Sequence, residues 1–319
     1  MPEDKPVNVA KKGESALFST KRPHRQAVPD FPPWLNGIQP QFSEIVKRLI
    51  YALTRLTRRA WRLGMKPLGG RADSSPKRVV LLVVATNKYL RFVEPLLVSA
   101  DRHFVPGHSY EVLLFTNLDE SPECRQLVAR RAGQSRGKIH LQHIEHSPWP
   151  MMTLLRYRFF TQSAATILEY DYAFYSDCDM RFVAEVGEEI LGEGLTAVRH
   201  CGFHDKGRTL FTYETRPESK AYIPANEGLH YFAGGFQGGR SAAYVHAAAE
   251  CSRQIDDDLS RGITAVWHDE SHWNAFLYRQ PHGLTILDPG YCMGERMRTP
   301  YPSMILALDK NHSEIRSEG

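Results

Sequence analysis

The run Arg78-Val79-Val80-Leu81-Leu82-Val83-Val84-Ala85-Thr86 limits the possible folds more than any other stretch of this chain. It is apolar and largely β-branched with no polar alternation. A strand made from it must be covered on both faces, which is the habit of central strands in parallel sheets. Helical periodicity follows over 88–103 (Leu90, Val93, Leu97, Ala100), and a second apolar run over 110–116 ends at Asn117. A helix at about 121–132, a strand at about 139–144, a helix at about 152–168 and a strand over 172–176 continue the alternation. This β-α-β-α order predicts an α/β fold with a central mixed, mainly parallel sheet flanked by helices.

The last of these strands runs directly into Asp177-Cys178-Asp179. Open α/β sheets hold their ligands at the carboxyl ends of strands, and side chains two apart on a strand share a face, so both acids are placed to address one ligand. Hard divalent cations need only one or two carboxylates when substrate phosphates complete the shell. The pair reads as a metal–diphosphate site; the competing reading is a turn after a strand, where Asp is favoured locally. The first strand is followed by neither Gly-x-Gly-x-x-Gly nor Gly-x-x-x-x-Gly-Lys-Ser/Thr, which disfavours dinucleotide enzymes and P-loop NTPases. Tyr89, just past that strand, is positioned either to stack on a base or simply to pack.

Two later segments carry further signals. The paired glycines in Tyr231-Phe232-Ala233-Gly234-Gly235-Phe236-Gln237-Gly238-Gly239 mark close approach of backbone to a ligand or to a neighbouring strand, the second being the safer reading. Residues 265–274 hold two acids, two histidines and two tryptophans, a costly group to bury without a task. Trp beside carboxylates is a common way of holding sugars. His268 and His272 have the spacing of a zinc helix but not the order His-Glu-x-x-His, so carbohydrate is the preferred ligand.

Composition removes several function classes. The net charge of +4 over 319 residues, without a long basic array interleaved with aromatics, gives no reason to expect a nucleic-acid partner. Five cysteines, odd in number and without a Cys-x-x-Cys pair, read as reduced thiols. No segment approaches the roughly 20 apolar residues of a membrane span, and no signal-peptide core is visible, so a cytoplasmic location is expected. Residues 1–41 read as a mobile tail, 42–76 as a basic amphipathic helix and linker, and 77–319 as a catalytic domain. The helix has two readings: peripheral contact with anionic membrane at the inner face of the cytoplasmic membrane, or docking on the domain with its arginines in water.

Taken together, Phe211-Thr212-Tyr213-Glu214-Thr215-Arg216-Pro217, Ala221-Tyr222-Ile223-Pro224, Glu227-Gly228, the Gly-Gly-Phe-x-Gly-Gly segment and Trp267-His268-Asp269-Glu270-Ser271-His272 resemble glycosyltransferase family six. That family includes the blood-group A and B transferases and α1,3-galactosyltransferase, and the resemblance runs from about Val79 to Arg316. It implies a GT-A fold, a UDP-sugar donor (UDP-GalNAc or UDP-Gal), Mn²⁺ or Mg²⁺, and retaining α1,3 transfer of N-acetylgalactosamine or galactose to a β-galactoside, fucosylated or not. On the same resemblance Asp177 and Asp179 match the metal and diphosphate motif, and Tyr89 the aromatic stacked on uracil. Arg156 matches an arginine near the donor phosphates, Asp269 a donor-sugar contact, and Ala233, Gly234 and Gly235 the segment around the donor sugar's C2 substituent. His200, Trp267 and Glu270 match acceptor-site residues, Glu270 being also the candidate nucleophile. Lys310 and Arg316 match a C-terminal tail that closes over the diphosphate.

Two departures from the family pattern stand out. The expected lack of a membrane anchor implies a bacterial-type member, yet many bacterial relatives resemble Asn-x-Asn where this chain keeps two aspartates. Alternatives are a retaining α-galactosyltransferase of lipopolysaccharide or another surface glycan, and a glycan-binding relative without turnover.

Overall fold

In the computed structural model, residues 75–281 and 283–316 are described, the Arg316 side chain excepted. The tail, basic helix and most of the linker expected over 1–76 lie outside them. Strand β1 (Arg78–Val84) is central, as its composition requires. Val79, Leu81 and Val83 enter one core layer and Val80 and Leu82 the other. On one side β1 pairs in parallel with β2 (Ser109–Thr116), which pairs in parallel with β3 (Lys138–His143); on the other it pairs in parallel with β4 (Tyr172–Ser176). Strand β5 (Met180–Phe182) leaves the main sheet. The main sheet continues through β6 (Leu195–Arg199) and β7 (Phe232–Arg240), with β7 antiparallel to both β4 and β6. Strand β8 (Thr285–Leu287) completes the order β3-β2-β1-β4-β7-β6-β8.

Helices cover both faces. Between β1 and β2 the chain forms a short 3₁₀ segment, Asn87–Phe92, before α1 (Val93–His103). One helix was expected over 88–103. Pro95 accounts for the later start, because proline lacks an N–H to donate and is tolerated only in a first turn. Helix α2 (Pro122–Arg131) is capped by the Ser121 hydroxyl, which accepts from the Cys124 N–H. The helix expected over 152–168 is α3 (Met151–Gln162) and α4 (Ala164–Ile167), separated at Ser163. The Ser163 N–H still donates to Phe159 O and its carbonyl accepts from Ile167, so the hydrogen-bond ladder bends without ending. Helices α5 (Ser241–Ser260) and α6 (His268–Arg279) pack with α3 around Tyr157, Phe160, Tyr244 and Trp273.

A small second sheet, in which β10 (Ile305–Ala307) lies between β5 and β9 (Met293–Gly294), returns the C-terminal segment to the carboxyl end of β4. The short helix α7 (His312–Arg316) then lies near the 3₁₀ segment, where Glu314 accepts from Lys88 and Arg91. Among the described residues no helix is long and apolar enough to cross a membrane.

Candidate active site

Strand order reverses beside β1, between β2 and β4, and a ligand crevice is expected at the carboxyl ends of those strands. A cleft of about 620 Å³ opens there. Its walls come from Thr86–Tyr89 after β1, His146–Trp149 between β3 and α3, Asp177–Asp179 after β4, and Lys310 with Ile315 from the C-terminal segment.

The two aspartates do not extend β4 as a strand. The chain turns at Ser176, and the Met180 N–H closes the turn on Asp177 O at 3.2 Å. Both acids nevertheless line the cleft, with the buried Cys178 between them packed in the core. Their surroundings differ: the Asp177 side chain is 41% exposed and that of Asp179 8%. Asp177 Oδ1 accepts from the Tyr175 hydroxyl (2.5 Å) and from Arg156 Nη1 (3.3 Å). Asp179 forms an ion pair with Lys310, whose Nζ also lies 5.6 Å from the centre of the Tyr89 ring. Burial, and next the Asp177 charge, raise the Asp179 carboxyl pKa, with Lys310 opposing them.

Arg156 lies beneath this floor rather than on the cleft wall. It is buried between the Tyr175 and Tyr157 rings, and it pairs with Asp269 as well as Asp177. Burial opposes its charge, but Tyr175, Tyr157 and Asp177 more than offset that and raise its pKa. One guanidinium therefore ties the acid after β4 to the first turn of α6.

The second tie is the glycine segment of β7. Ala197 of β6 aligns with Gln237, but Arg199 aligns with Phe232, so two steps along β6 correspond to five along β7. Ala233, Gly234 and Gly235 lie in the resulting bulge, a device that locally re-aims the backbone. The Gly234 N–H donates to Glu270 Oε2 (2.8 Å), while Gly234 O accepts from Arg156 Nη2 (3.2 Å). Gly235 O accepts the Asp177 N–H at 2.9 Å. The bulge thus holds Asp177 through the Gly235 carbonyl and Glu270 through the N–H of the adjacent Gly234. The other glycines serve packing, since a Cβ at Gly238 would overlap the Phe174 ring and the Ala173 carbonyl.

Helix α6 begins at His268, which has positive φ (52°), so Asp269 and Glu270 occupy the first turn, where the helix dipole favours carboxylates. Tyr231 lies close to Glu270; burial, then the Glu270 charge, raises that phenol's pKa. His200 packs on Tyr231 and Phe203, and burial lowers its pKa against the pull of Glu270, so the ring is neutral near pH 7. Trp267, the N-cap residue of α6, is 42% exposed. His272 turns away from the site, toward Asp258 (3.7 Å).

Expected site residues thus fall into two connected groups. Tyr89, Asp177, Asp179 and Lys310 line the cleft, and His200, Trp267, Asp269 and Glu270 gather beyond the bulge, with Arg156 underneath both. The Arg316 side chain lies outside the described residues. Sequence reasoning missed Trp149, which lines the cleft and sets its ring edge-on to His268 at 5.0 Å, linking the two groups. It also missed Tyr231. Trp149 had a usable signal, because it lies in the loop after a parallel strand, at the ligand-binding end of the sheet.

An α/β sheet with an acid turn at its carboxyl edge and a second carboxylate held by a backbone bulge defines a sugar-transferring enzyme of GT-A type. The particular family follows from comparison: the sequence profile of Glycosyltransferase family 6 matches residues 74–317, and the chain belongs to that family. The chain is 35% identical to histo-blood group ABO system transferase 1 of Rattus norvegicus over 245 residues, 74% of this chain and 68% of the relative. It is 33% identical to globoside alpha-1,3-N-acetylgalactosaminyltransferase 1 of Gallus gallus, over 73% of this chain and 67% of that one. It is also similar to the O-antigen biosynthesis glycosyltransferase WbnI of Escherichia coli, at 24% identity over 62% of this chain and 81% of the relative. The protein is a hexosyltransferase.

Proposed function

We propose that the enzyme transfers N-acetylgalactosamine, or galactose, from a UDP-sugar in α1,3 linkage to a β-galactoside, with retention at the anomeric carbon. The observation that carries this reading is the bulge: the adjacent residues Gly235 and Gly234 hold Asp177 at the end of the cleft and Glu270 beyond it. Uridine stacks on Tyr89, the diphosphate lies between Asp177, Asp179 and Lys310, and the hexose sits over the bulge with Glu270 beneath its ring. Asp269, Trp267 and His200 then contact donor sugar and acceptor.

The residues also fit a hard divalent cation, Mn²⁺ or Mg²⁺. Two carboxylates share one turn, and burial with mutual repulsion leaves negative charge that Lys310 offsets only in part. Among the described residues no group of three or more His, Cys, Asp or Glu is arranged to hold a metal, so the donor's own oxygens would complete the shell. When bound, the ion would neutralise the charge that develops on departing UDP. Glu270 supplies the countercharge for the oxocarbenium centre, either as a nucleophile or by shielding same-face attack.

Incubation with UDP-GalNAc and UDP-Gal and a β-galactoside, with product linkage read by NMR, tests the proposal. An α1,3 product is expected. Transfer only onto a lipopolysaccharide core would favour the surface-glycan reading, which the similarity to the O-antigen enzyme supports. Binding of donor and acceptor without transfer would favour a glycan-binding relative.

A further inference from the structure

Arg156 packs on two tyrosine rings whose hydroxyls go to different places. The guanidinium carbon lies 5.5 Å from the centre of the Tyr157 ring, and the Tyr157 hydroxyl donates to Gln237 Oε1 at 3.0 Å inside the core. The Tyr175 ring is closer, at 4.3 Å, and its hydroxyl donates to Asp177 Oδ1 at 2.5 Å. Tyr175 is a fixed donor. It belongs to β4, where its backbone pairs with Leu82 of β1 on one side and Gln237 of β7 on the other, and its ring packs on Phe160. Tyr175 is buried, yet it contributes to the cleft wall. A phenol is protonated near neutral pH, so this hydroxyl donates.

Asp177 is not fixed by burial in the same way. It follows the strand, at the turn, and a partly exposed carboxylate left to itself samples more than one rotamer. Arg156 Nη1 reaches Oδ1 at 3.3 Å, and the same guanidinium also serves Asp269 and the Gly234 carbonyl. The shorter tie on Asp177 is therefore the tyrosine's. Both ties fall on Oδ1, and Oδ2 takes neither of them.

We infer that Tyr175 is a positioning residue for the diphosphate site: its hydroxyl holds the Asp177 carboxylate in the orientation that takes the cation, and its ring steadies the guanidinium that joins Asp177 to Asp269. The inference rests on the proposed function and adds to it a residue that acts through Asp177 and Arg156 rather than on the donor itself. Loss of a partner that hydrogen-bonds a ligating carboxylate costs roughly 10–100-fold in metal affinity or activity. The two contributions of Tyr175 separate chemically, because phenylalanine keeps the ring on Arg156 and removes the hydroxyl from Asp177. Tyr157→Phe is the matched comparison: it also removes a buried hydroxyl beside Arg156, but takes it from Gln237 rather than from an acid of the cleft.

Isothermal titration of UDP into the full chain, once with Mn²⁺ and once with EDTA, measures how much the cation strengthens UDP binding. In Tyr175→Phe that strengthening is expected to fall by about tenfold or more, with UDP affinity in EDTA little changed. In Tyr157→Phe it should stay within about twofold of the full chain's value. In the Asp177→Asn background, where the carboxylate is already gone, adding Tyr175→Phe should change it by less than about twofold. A ring-fluorinated tyrosine in place of Tyr175 gives a reading that does not depend on the phenylalanine variant folding. Its fluorine resonance should move when Mg²⁺ and UDP are added together and stay in place with Mg²⁺ and uridine.

Strengthening within about twofold of the full chain's in a folded Tyr175→Phe overturns the inference and leaves the proposed function standing. So do an equal loss in Tyr157→Phe, an undiminished further loss in the Asp177→Asn background, and a fluorine resonance that does not move at saturating Mg²⁺ and UDP. If Mn²⁺ does not strengthen UDP binding to the full chain at all, the cation site of the proposed function fails and this inference with it.

Discussion

At the residue scale the site separates charge that binds from charge that reacts. Glu270 is held by the Gly234 N–H, which donates to its Oε2. Glu270→Gln keeps the shape and removes the charge needed when the oxocarbenium forms. We expect kcat to fall by roughly hundredfold or more while UDP-sugar affinity by calorimetry stays nearly constant. A rise in acceptor KM at unchanged kcat would instead make Glu270 an acceptor ligand. The aspartates act earlier, on the diphosphate. Asp177→Asn and Asp179→Asn should each lower kcat/KM by roughly hundredfold or more, and chelation by EDTA should abolish turnover that Mn²⁺ restores. Undiminished transfer in excess EDTA would remove the metal from the reaction and leave Lys310 as the neutralising cation. The acid pair was visible in the sequence because a strand followed by two acids is a local pattern. Arg156 was not legible in its actual place, since its partners Asp177 and Asp269 come together only through the fold.

At the scale of elements the same division holds. Strands β1, β2 and β4 were legible because burial on both faces forces long apolar runs, and the turn after β4 could be anticipated from its acids. The β7 bulge was not, because the offset between two steps on β6 and five on β7 is a property of pairing across the chain. Gly-Gly announces close approach of something, and only the register says of what. Helix α6 was readable as a polar cluster, but its second half does structural work that the cluster concealed. His272 is buried beside Asp258, with Arg279 and Glu214 also acting on it, and burial lowers its pKa to about 4 from 6.5. The unfolded chain therefore takes up a proton below pH 6.5 that the folded protein refuses until near pH 4, so stability is present above 6.5 and drains away as pH falls. By pH 5 the loss from this group is about 2 kcal/mol. In His272→Gln the difference in unfolding free energy between pH 7 and pH 5 should shrink by about that amount in urea titrations. An unchanged difference would assign the acid sensitivity elsewhere.

At the scale of the whole molecule, the parallel half of the sheet builds the nucleotide cleft, and the antiparallel strand β7 joins it to α6. The last wall comes from the far end of the chain. Strand β10 brings it back: the Leu308 N–H donates to Asp179 O (2.9 Å), which sets Lys310 on the Asp179 carboxylate and Ile315 into the cleft wall. The segment past Leu308 contributes only Ile315 to the described buried hydrophobic residues, and it contributes a cation to the place where the diphosphate is proposed to bind. Ending the chain after Asp309 should therefore separate binding from folding. The sheet built on β5, β9 and β10 remains intact, so the melting temperature should change little. UDP affinity should fall by roughly 10–100-fold, the worth of a charge-assisted hydrogen bond of about 1.5–3 kcal/mol. Lys310→Ala should reproduce most of that loss, and Lys310→Arg, which keeps the charge, should recover part of it. Isothermal titration of UDP into the three variants distinguishes the outcomes. If truncation weakens binding but Lys310→Ala does not, the segment acts by enclosing the cleft rather than by its charge. If neither variant changes affinity while both stay folded, the diphosphate does not lie against Asp179, and the assignment of this end of the cleft fails.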